Sequence, residues 1–442
     1  MVNYGGDEVS ALVLDIGSST IRAGYAGDDT PKAIIPTSYG YTEEESTGED
    51  VVMDESNKEN GQLSTDNAPS SSKKSVKLHI GQNGPSMFRP NMHVGNPMKE
   101  GLIDDFTAIP PLVRNAFEDC LHANPAEHPV LVTEPAWNTP AQRERMAEIM
   151  FEEFQVPAFY IANTGVLNAF AAGKGTALVI DIGHMEASVT PVVDGFVLRK
   201  GLAHSSLPRF VRAHAKNILT TPSPPRQSIH LLPHQLILNK RAVPEMAQPI
   251  FTLREDRIST VTPTWREWYE DREVDEWLVS VGSVMDQGWN EQLVAQRPQR
   301  PYEFPTGYNQ WFGPERFSVG EQFFSHASKH VQSIPNIPKT IPNLIAQSLS
   351  NCEPELRAVL LANVVLSGGG SLFAGLADRL HNELARNFAH MKIHAPGNPT
   401  ERRYGGWLGG SILASLGTFH QLWISQEEWK EHGRAIVAQR CK

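Results

Sequence analysis

Cysteine is nearly absent. The chain of 442 residues carries three, Cys120, Cys352 and Cys441, widely separated. That excludes a disulfide framework and a cysteine-rich metal site, and free thiols suit a reducing compartment. Long apolar runs are missing too. No stretch reaches the roughly 18 apolar residues that a membrane span needs, so no membrane association is expected. The opening stretch MVNYGGDEVS has neither a basic nor an apolar region and does not read as a secretory signal. Positive charge is short: 39 Lys and Arg stand against 50 Asp and Glu, a net −11. Such a balance disfavours broad non-specific DNA binding by this chain alone. Basic partners would suit it, although most acidic proteins bind none. Helicase motifs, zinc-ligand spacing and nucleophilic triad signatures are also lacking.

What remains is an ordinary globular composition, 40% hydrophobic and 20% charged, long enough for two to four packing units. Strand-like and helix-like stretches alternate. LVLDIGSST, IRAGYAG and KAIIPTS read as short strands joined by tight turns, and PVLVTEP, VPAFYIANT and TALVIDIG as buried strands. PLVRNAFEDCLHA and TGVLNAFAAG have helical periodicity. TPAQRERMAEIMFEEF adds a Thr cap and a Pro at the first helical position. The alternation predicts an α/β sheet covered by helices. LLANVVLSGGG predicts a strand entering a glycine turn, with SLFAGLADRLHNELAR a helix directly after it. In GGWLGGSILASLGTFHQLWIS the positions Ile412, Leu413, Leu416, Phe419, Leu422 and Trp423 follow helical spacing.

Two stretches stand apart. Residues 42–77 hold nine acidic residues, four lysines and seven serines with few large apolar side chains, which predicts a disordered acidic insert. Residues 208–303 are rich in proline and tryptophan and predict a smaller, more variable lobe.

One turn occurs twice. Residues 12–20 read LVLDIGSST and residues 178–186 read LVIDIGHME. A strand ending in Asp-x-Gly forms a hairpin whose backbone N–H groups can point at an anion, because glycine lets the backbone come close and hydroxyls add donors. An Asp at such a strand end can hold a hydrated Mg²⁺ that bridges phosphates. Two such hairpins facing each other would clamp a polyphosphate. Ser367-Gly368-Gly369-Gly370, opening a helix, offers a third anion or nucleotide contact; the alternative is a tight strand-to-helix turn.

LVLDIGSSTIRAGYAGDDTPKAIIPT, EHPVLVTEPAWNTPAQRERMAEIMFEEFQVPAFYIANTGVLNAF, LSGGGSLFAGLADRL and GGSILASLGTFHQLWISQEEW resemble segments of the actin family, in order, over most of residues 10–36, 95–207 and 304–442. The resemblance fades over 37–94 and 208–303. The WREW, QRPQRPYEFPTGYN and GPERF stretches, with the acidic insert, are most similar to the nuclear actin-related branch, subunits of chromatin-remodelling and histone-acetyltransferase complexes. The resemblance implies an actin-like two-lobed α/β fold, with ribonuclease H-like repeats and four subdomains around a central nucleotide cleft. It divides the chain into 1–36, 98–171 and 404–442; 37–97; 172–207 with 304–403; and 208–303.

Carried over residue by residue, the resemblance assigns Asp15, Gly17, Ser18, Ser19, Thr20 and Arg22 to the first phosphate loop. Arg22 stands in place of the family's lysine and keeps a charge for the phosphates. Asp181 and Gly183 open the second loop, where His184 and Met185 replace an Asp-Gly pair. Gly368, Gly369 and Gly370 fall near the sugar and base, with Phe373 and Arg403 in the adenine region. Lys240 and Arg241 are further suggestions there. Asp15 and Asp181 would face a hydrated Mg²⁺. Thr164 falls where the family has a water-orienting glutamine, and Ser188 where it has a histidine. Both are too short for the same task, and losing a positioned group commonly costs about two orders of magnitude in rate.

The expectation is therefore a chain that holds ATP and Mg²⁺ structurally and hydrolyses ATP poorly or not at all. An empty cleft, an active actin-like ATPase and a cytoskeletal actin relative are the competing readings. The insert and the rewritten 208–303 stretch argue against filaments. Ile412, Leu413, Leu416 and Thr418 match an apolar groove in which partner helices dock; the alternative is plain core packing. Implied partners are a nuclear actin, a helical segment of a remodeller ATPase subunit and other actin-related proteins, in the nucleus. Direct contact with histones or nucleosomal DNA is left open. SSKKSVK is a weak basic localisation run.

Overall fold

The computed structural model describes residues 10–45, 74–224, 226–326, 336–388 and 390–442. Two mixed sheets dominate. In the first, the strand order is Ile424–Ser425, Ala158–Asn163, Val130–Glu134, Leu12–Ile16, Thr20–Tyr25 and Ala33–Pro36. In the second it is Phe196–Val197, Ala187–Val193, Ala177–Ile182, Val364–Ser367 and Ile393–His394, with Ala203–Ser205 also paired to Ala187–Val193.

The sheets repeat one another. Each is built on an antiparallel hairpin, with Asp15 opposite Arg22 and Ile16 opposite Ile21 in the first, and Asp181 opposite Ser188 and Ile182 opposite Ala187 in the second. Each hairpin then receives a parallel strand on its inner edge, Val130–Glu134 or Val364–Ser367. These strands are buried on both faces, which is why they read as continuous apolar runs rather than alternating ones.

Two helices join the sheets. Helix Gly405–Ser415 docks on the first sheet, where the Trp407 indole donates to the Val13 carbonyl at 3.1 Å. Helix Thr164–Ala171 lies against it so closely that a Cβ at Gly409 would overlap the Leu167 carbonyl. Asn168 on that second helix accepts from Ser367 Oγ at 2.7 Å, which ties it to the second sheet. Glycine is needed at position 409 because no side chain fits between two backbones in contact.

Several local expectations need correction. The outer parts of the acidic insert are ordered strands: Tyr39–Glu45 pairs antiparallel with Lys74–His79, and Thr42 Oγ1 lies 3.0 Å from His79 Nε2. Backbone pairing satisfies its own donors and acceptors whatever the composition, and Tyr41, Val76 and Leu78 favour strand. Residues 46–73 of that insert lie outside the described residues. The helix after the glycine turn does not start at Ser371. A tight turn spans Gly369–Leu372, Gly375 takes φ +82°, and the helix runs Leu376–Asn387. The final apolar pattern is not one helix either. The helix ends at Ser415, Leu416 is extended, and a short turn covers Gly417–Gln421.

The 208–303 stretch shares its core with its neighbours. Val211, Leu219, Val274 and Trp277 join the second sheet's apolar cluster. Trp265 and Tyr269 pack with Met92, and Trp265 Nε1 donates to the Pro85 carbonyl at 3.0 Å. All three cysteines are free thiols, Cys352 and Cys441 buried. Among the described residues no helix is long and apolar enough to cross a membrane.

Candidate functional site

The two hairpin turns open on one cavity of about 540 Å³ between the sheets. Each turn closes by the same backbone bond, Gly17 N–H to Thr20 O at 3.0 Å and Gly183 N–H to Glu186 O at 2.8 Å. In the first turn the carbonyls of Gly17, Ser18 and Ser19 are held from outside. Thr37 Oγ1 donates to Gly17 O at 2.6 Å, Asn96 Nδ2 to Ser18 O at 2.9 Å, and Thr37 N–H to Ser19 O at 3.0 Å. The amides of Ser18 and Ser19 donate to no backbone carbonyl among the described residues. With the carbonyls anchored outward, an anion meets N–H groups.

Asp15 sits at the strand end, its carboxylate engaged on both oxygens. Arg22 Nη1 lies 2.5 Å from Oδ2, and Thr133 Oγ1 donates to Oδ1 at 2.6 Å. The Arg22 guanidinium also stands over the Tyr404 ring, 5.2 Å from its centre. It therefore pairs first with Asp15, rather than extending freely as a phosphate contact. Asp181 is in the equivalent place of the second hairpin. Burial, and then the nearby Asp15 charge, push its carboxyl up to about 6, with Arg22 and a 3.4 Å Asn168 bond opposing.

The second turn is braced by a helix. Arg212, on helix Leu207–Thr220, donates from Nη2 to His184 Nδ1 at 2.6 Å and to the His184 carbonyl at 3.2 Å, and its Nη1 is 3.7 Å from Met185 Sδ. Its Nε bonds Asp275 Oδ1 at 2.6 Å, on helix Pro263–Ser280. Burial, then the Arg212 charge, press the His184 imidazolium down to about 3, so the ring is neutral and accepts. The bulky contents of the second turn thus fasten it to two helices, and His184 is not an idle surface histidine.

The third loop completes the cradle. Gly368 takes φ +87°, and a Cβ there would collide with Asp181 Oδ1 and the Ile182 carbonyl. Gly370 is packed against Ile182 Cγ2, whereas Gly369 is open to the cavity apart from Arg403. Phe373 and Arg403 line the same space, as do Thr164 and Ser188.

All fifteen residues assigned from the sequence to a nucleotide site line this one cavity: Asp15, Gly17, Ser18, Ser19, Thr20, Arg22, Asp181, Gly183, His184, Met185, Gly368, Gly369, Gly370, Phe373 and Arg403. Lys240 and Arg241 do not. They lie on the strand Ile237–Arg241 with exposed side chains, and Lys240 pairs with Glu303 at 2.6 Å. The 208–303 stretch instead supplies Arg212, Asp275, Leu278 and Val279. Sequence reasoning also missed Trp137, whose ring stacks on His204 at 4.5 Å with 7° between planes, while His204 Nδ1 is 3.7 Å from Glu186 Oε2. No local pattern marks these residues, because their partners come from other elements.

On the outer surface, Ile412 and Leu416 are 41% and 39% exposed and Thr418 is exposed, whereas Leu413 packs against the first core. Plain core packing therefore accounts for Leu413 alone.

A family model described as Actin matches residues 6–442. Among curated relatives, "Actin-related protein 4" of Emericella nidulans is 38% identical, covering 99% of this chain and 98% of the relative. "Actin-related protein 4" of Yarrowia lipolytica is 37% identical, over 99% and 97%. "Actin-related protein 4" of Arabidopsis thaliana is 34% identical, over 99% and 100%.

Proposed function

Because the chain belongs to the actin family, with its two-lobed α/β fold, we propose that it is a nucleotide-holding, non-filamentous scaffold subunit of nuclear chromatin-remodelling and histone-acetyltransferase complexes. The observation that carries the nucleotide part is the pair of Asp-Ile-Gly turns opening on one cavity with Gly368–Gly370. The residues fit the polyphosphate and ribose of ATP: anchored carbonyls leave N–H groups for phosphates, and the glycines at 368 and 370 admit no side chain. The donor set fits a divalent ion poorly, since both Asp15 oxygens are already engaged.

Hydrolysis is weak or absent in this reading. Turnover needs a group that aims water at the terminal phosphate, and Thr164 and Ser188 are short where the family carries Gln and His. The bound nucleotide then acts as a structural ligand that stabilises the closed fold by mass action. The four-part division given above, with 208–303 as a divergent subdomain, is the frame of this reading.

The partner part rests on the outward-facing Ile412, Leu416 and Thr418, an apolar surface suited to an amphipathic helix. A helical segment of a remodeller ATPase, shared with a nuclear actin, is the proposed occupant. Roles in transcription regulation and DNA repair follow from such complexes; contact with other actin-related proteins, histones or nucleosomal DNA belongs to the same reading.

Calorimetric titration of nucleotide-stripped protein with ATP, paired with a phosphate-release assay, tests this. Saturable binding with a thermal shift and phosphate release at background is expected. No heat and no shift would remove the nucleotide part; actin-like turnover would favour an active ATPase instead.

A further inference from the structure

We propose that the Arg22 guanidinium, paired with Asp15 beside the first turn, stands in for the divalent cation, so that this cavity holds its nucleotide without metal. The inference rests on the nucleotide reading above and concerns what neutralises the phosphates once they are bound.

The internal repeat supplies the first observation. The two hairpins share one register, so Asp15 and Asp181 are equivalent positions, and so are Arg22 and Ser188. One copy thus places a cation directly across the ladder from its aspartate, and the other places a small hydroxyl. The cation reaches its aspartate at 2.5 Å, and Thr133 takes the other oxygen at 2.6 Å. A Mg²⁺ ion keeps most of its water and is held through one or two carboxylates together with the phosphates. Here the carboxylate nearest the first turn offers its lone pairs to a guanidinium and a hydroxyl instead.

The second observation is where Arg22 is fixed. Its guanidinium lies over the Tyr404 ring, and its side chain is only 18% exposed. Nη2 faces Gly17, 3.9 Å from where a Cβ of that residue would be. Nε is buried with no hydrogen-bond partner in the protein. The guanidinium is therefore near Asp15 and the glycine turn at once. A lysine would deliver a compact charge to one point; the planar fork of arginine can bridge a carboxylate and a phosphate together.

The third observation is the lack of an alternative all-protein metal cage among the described residues. Among the described residues no group of three or more His, Cys, Asp or Glu is arranged to hold a metal ion. The other arginine deep in the cavity, Arg212, is paired with Asp275 and His184. To admit a metal at Asp15, the protein would have to break a largely buried ion pair and leave Arg22 without its carboxylate.

The test uses the full-length chain loaded with ATP, desalted, and assayed for nucleotide and for magnesium by elemental analysis. Stoichiometric ATP with substoichiometric Mg²⁺ is expected. In titrations, ATP should bind in excess EDTA no more than about threefold more weakly than with Mg²⁺. The variant Arg22→Lys should weaken about tenfold in EDTA and recover when Mg²⁺ is added, because the vacated space then takes the ion; circular dichroism checks that it folds. One magnesium per nucleotide in the wild type, or a weakening of about tenfold or more in EDTA, would overturn the inference. Failure of ATP to bind under either condition would instead sink the nucleotide reading on which it stands.

Discussion

Arg212 Nη2 lies 2.6 Å from His184 Nδ1, joining a hairpin turn to a helix 28 residues further along the chain. The same guanidinium grips Asp275 on a second helix. The second turn of the cavity is therefore held from outside by a three-residue clasp that the first turn does not have. Its first-turn counterparts Ser18 and Ser19 are instead steadied by Thr37 and Asn96.

Breaking the clasp should loosen the cavity. Arg212→Ala leaves a half-buried carboxylate and the His184 ring unpaired. A fully buried pair costs about 3–5 kcal/mol when one partner is removed; Asp275 keeps 35% of its side chain exposed, so about 2 kcal/mol is expected. Urea denaturation would show a lower midpoint with an unchanged slope. ATP should raise the midpoint less in this variant than in the wild type.

Acid should act through His184. Burial and Arg212 hold its imidazolium near 3, below the usual value near 6.5. A depressed folded value means that the unfolded chain takes the proton first. The stability contributed by the neutral ring is complete above about 6.5 and is lost as pH falls toward 3, at up to about 1.4 kcal/mol per pH unit. His184→Gln, which cannot ionise, should lose less stability than the wild type between about pH 6 and 4. Equilibrium unfolding at several pH values reads this directly.

Alkali should act through Glu273. Burial, then the charges of Glu276 and Glu270, raise its carboxyl to about 8, and the Leu232 backbone offsets this only in part. The sign is the reverse of the previous case. The native chain keeps its proton after the unfolded one has released it, so the contribution of Glu273 is most favourable below about 4.5 and declines as pH rises to about 8. Glu273→Gln should flatten that decline and melt above the wild type near pH 9. Equal pH dependence in the two proteins would mean that the carboxyl is not buried as described.

Helix contact should be intolerant at Gly409. A Cβ there overlaps the Leu167 carbonyl, so Gly409→Ala must push two helices apart at a cost of about 1–3 kcal/mol. Gly417→Ala is the control, since nothing lies within 4 Å of a Cβ at that position. Because helices Thr164–Ala171 and Gly405–Ser415 join the two sheets, ATP affinity should fall in the first variant and hold in the second.

The outward apolar residues should matter for partners and not for folding. Ile412→Asp and Leu416→Asp change side chains that are 41% and 39% exposed, and thermal melting should move little. Pull-down with an amphipathic helical segment of a remodeller ATPase should be lost. Retained binding would move the docking surface elsewhere.

The sequence by itself determined the two hairpins, the alternation of strands with helices and the glycine loop. Those features are local: an apolar run, Asp-Ile-Gly and a return strand lie in one short stretch of chain, Leu12–Tyr25 or Ala177–Val193, and backbone pairing closes each hairpin without distant help. Composition alone misread the ends of the acidic insert, because strand pairing depends on backbone groups that composition does not report. Only the tertiary structure decided that Arg22 turns to Asp15, that Arg212 reaches His184, and that Trp137 stacks on His204. Residues 212, 137 and 204 act on partners contributed by separate elements, and burial then fixes their charge states; neither the neighbour nor the burial is encoded within any one stretch of chain.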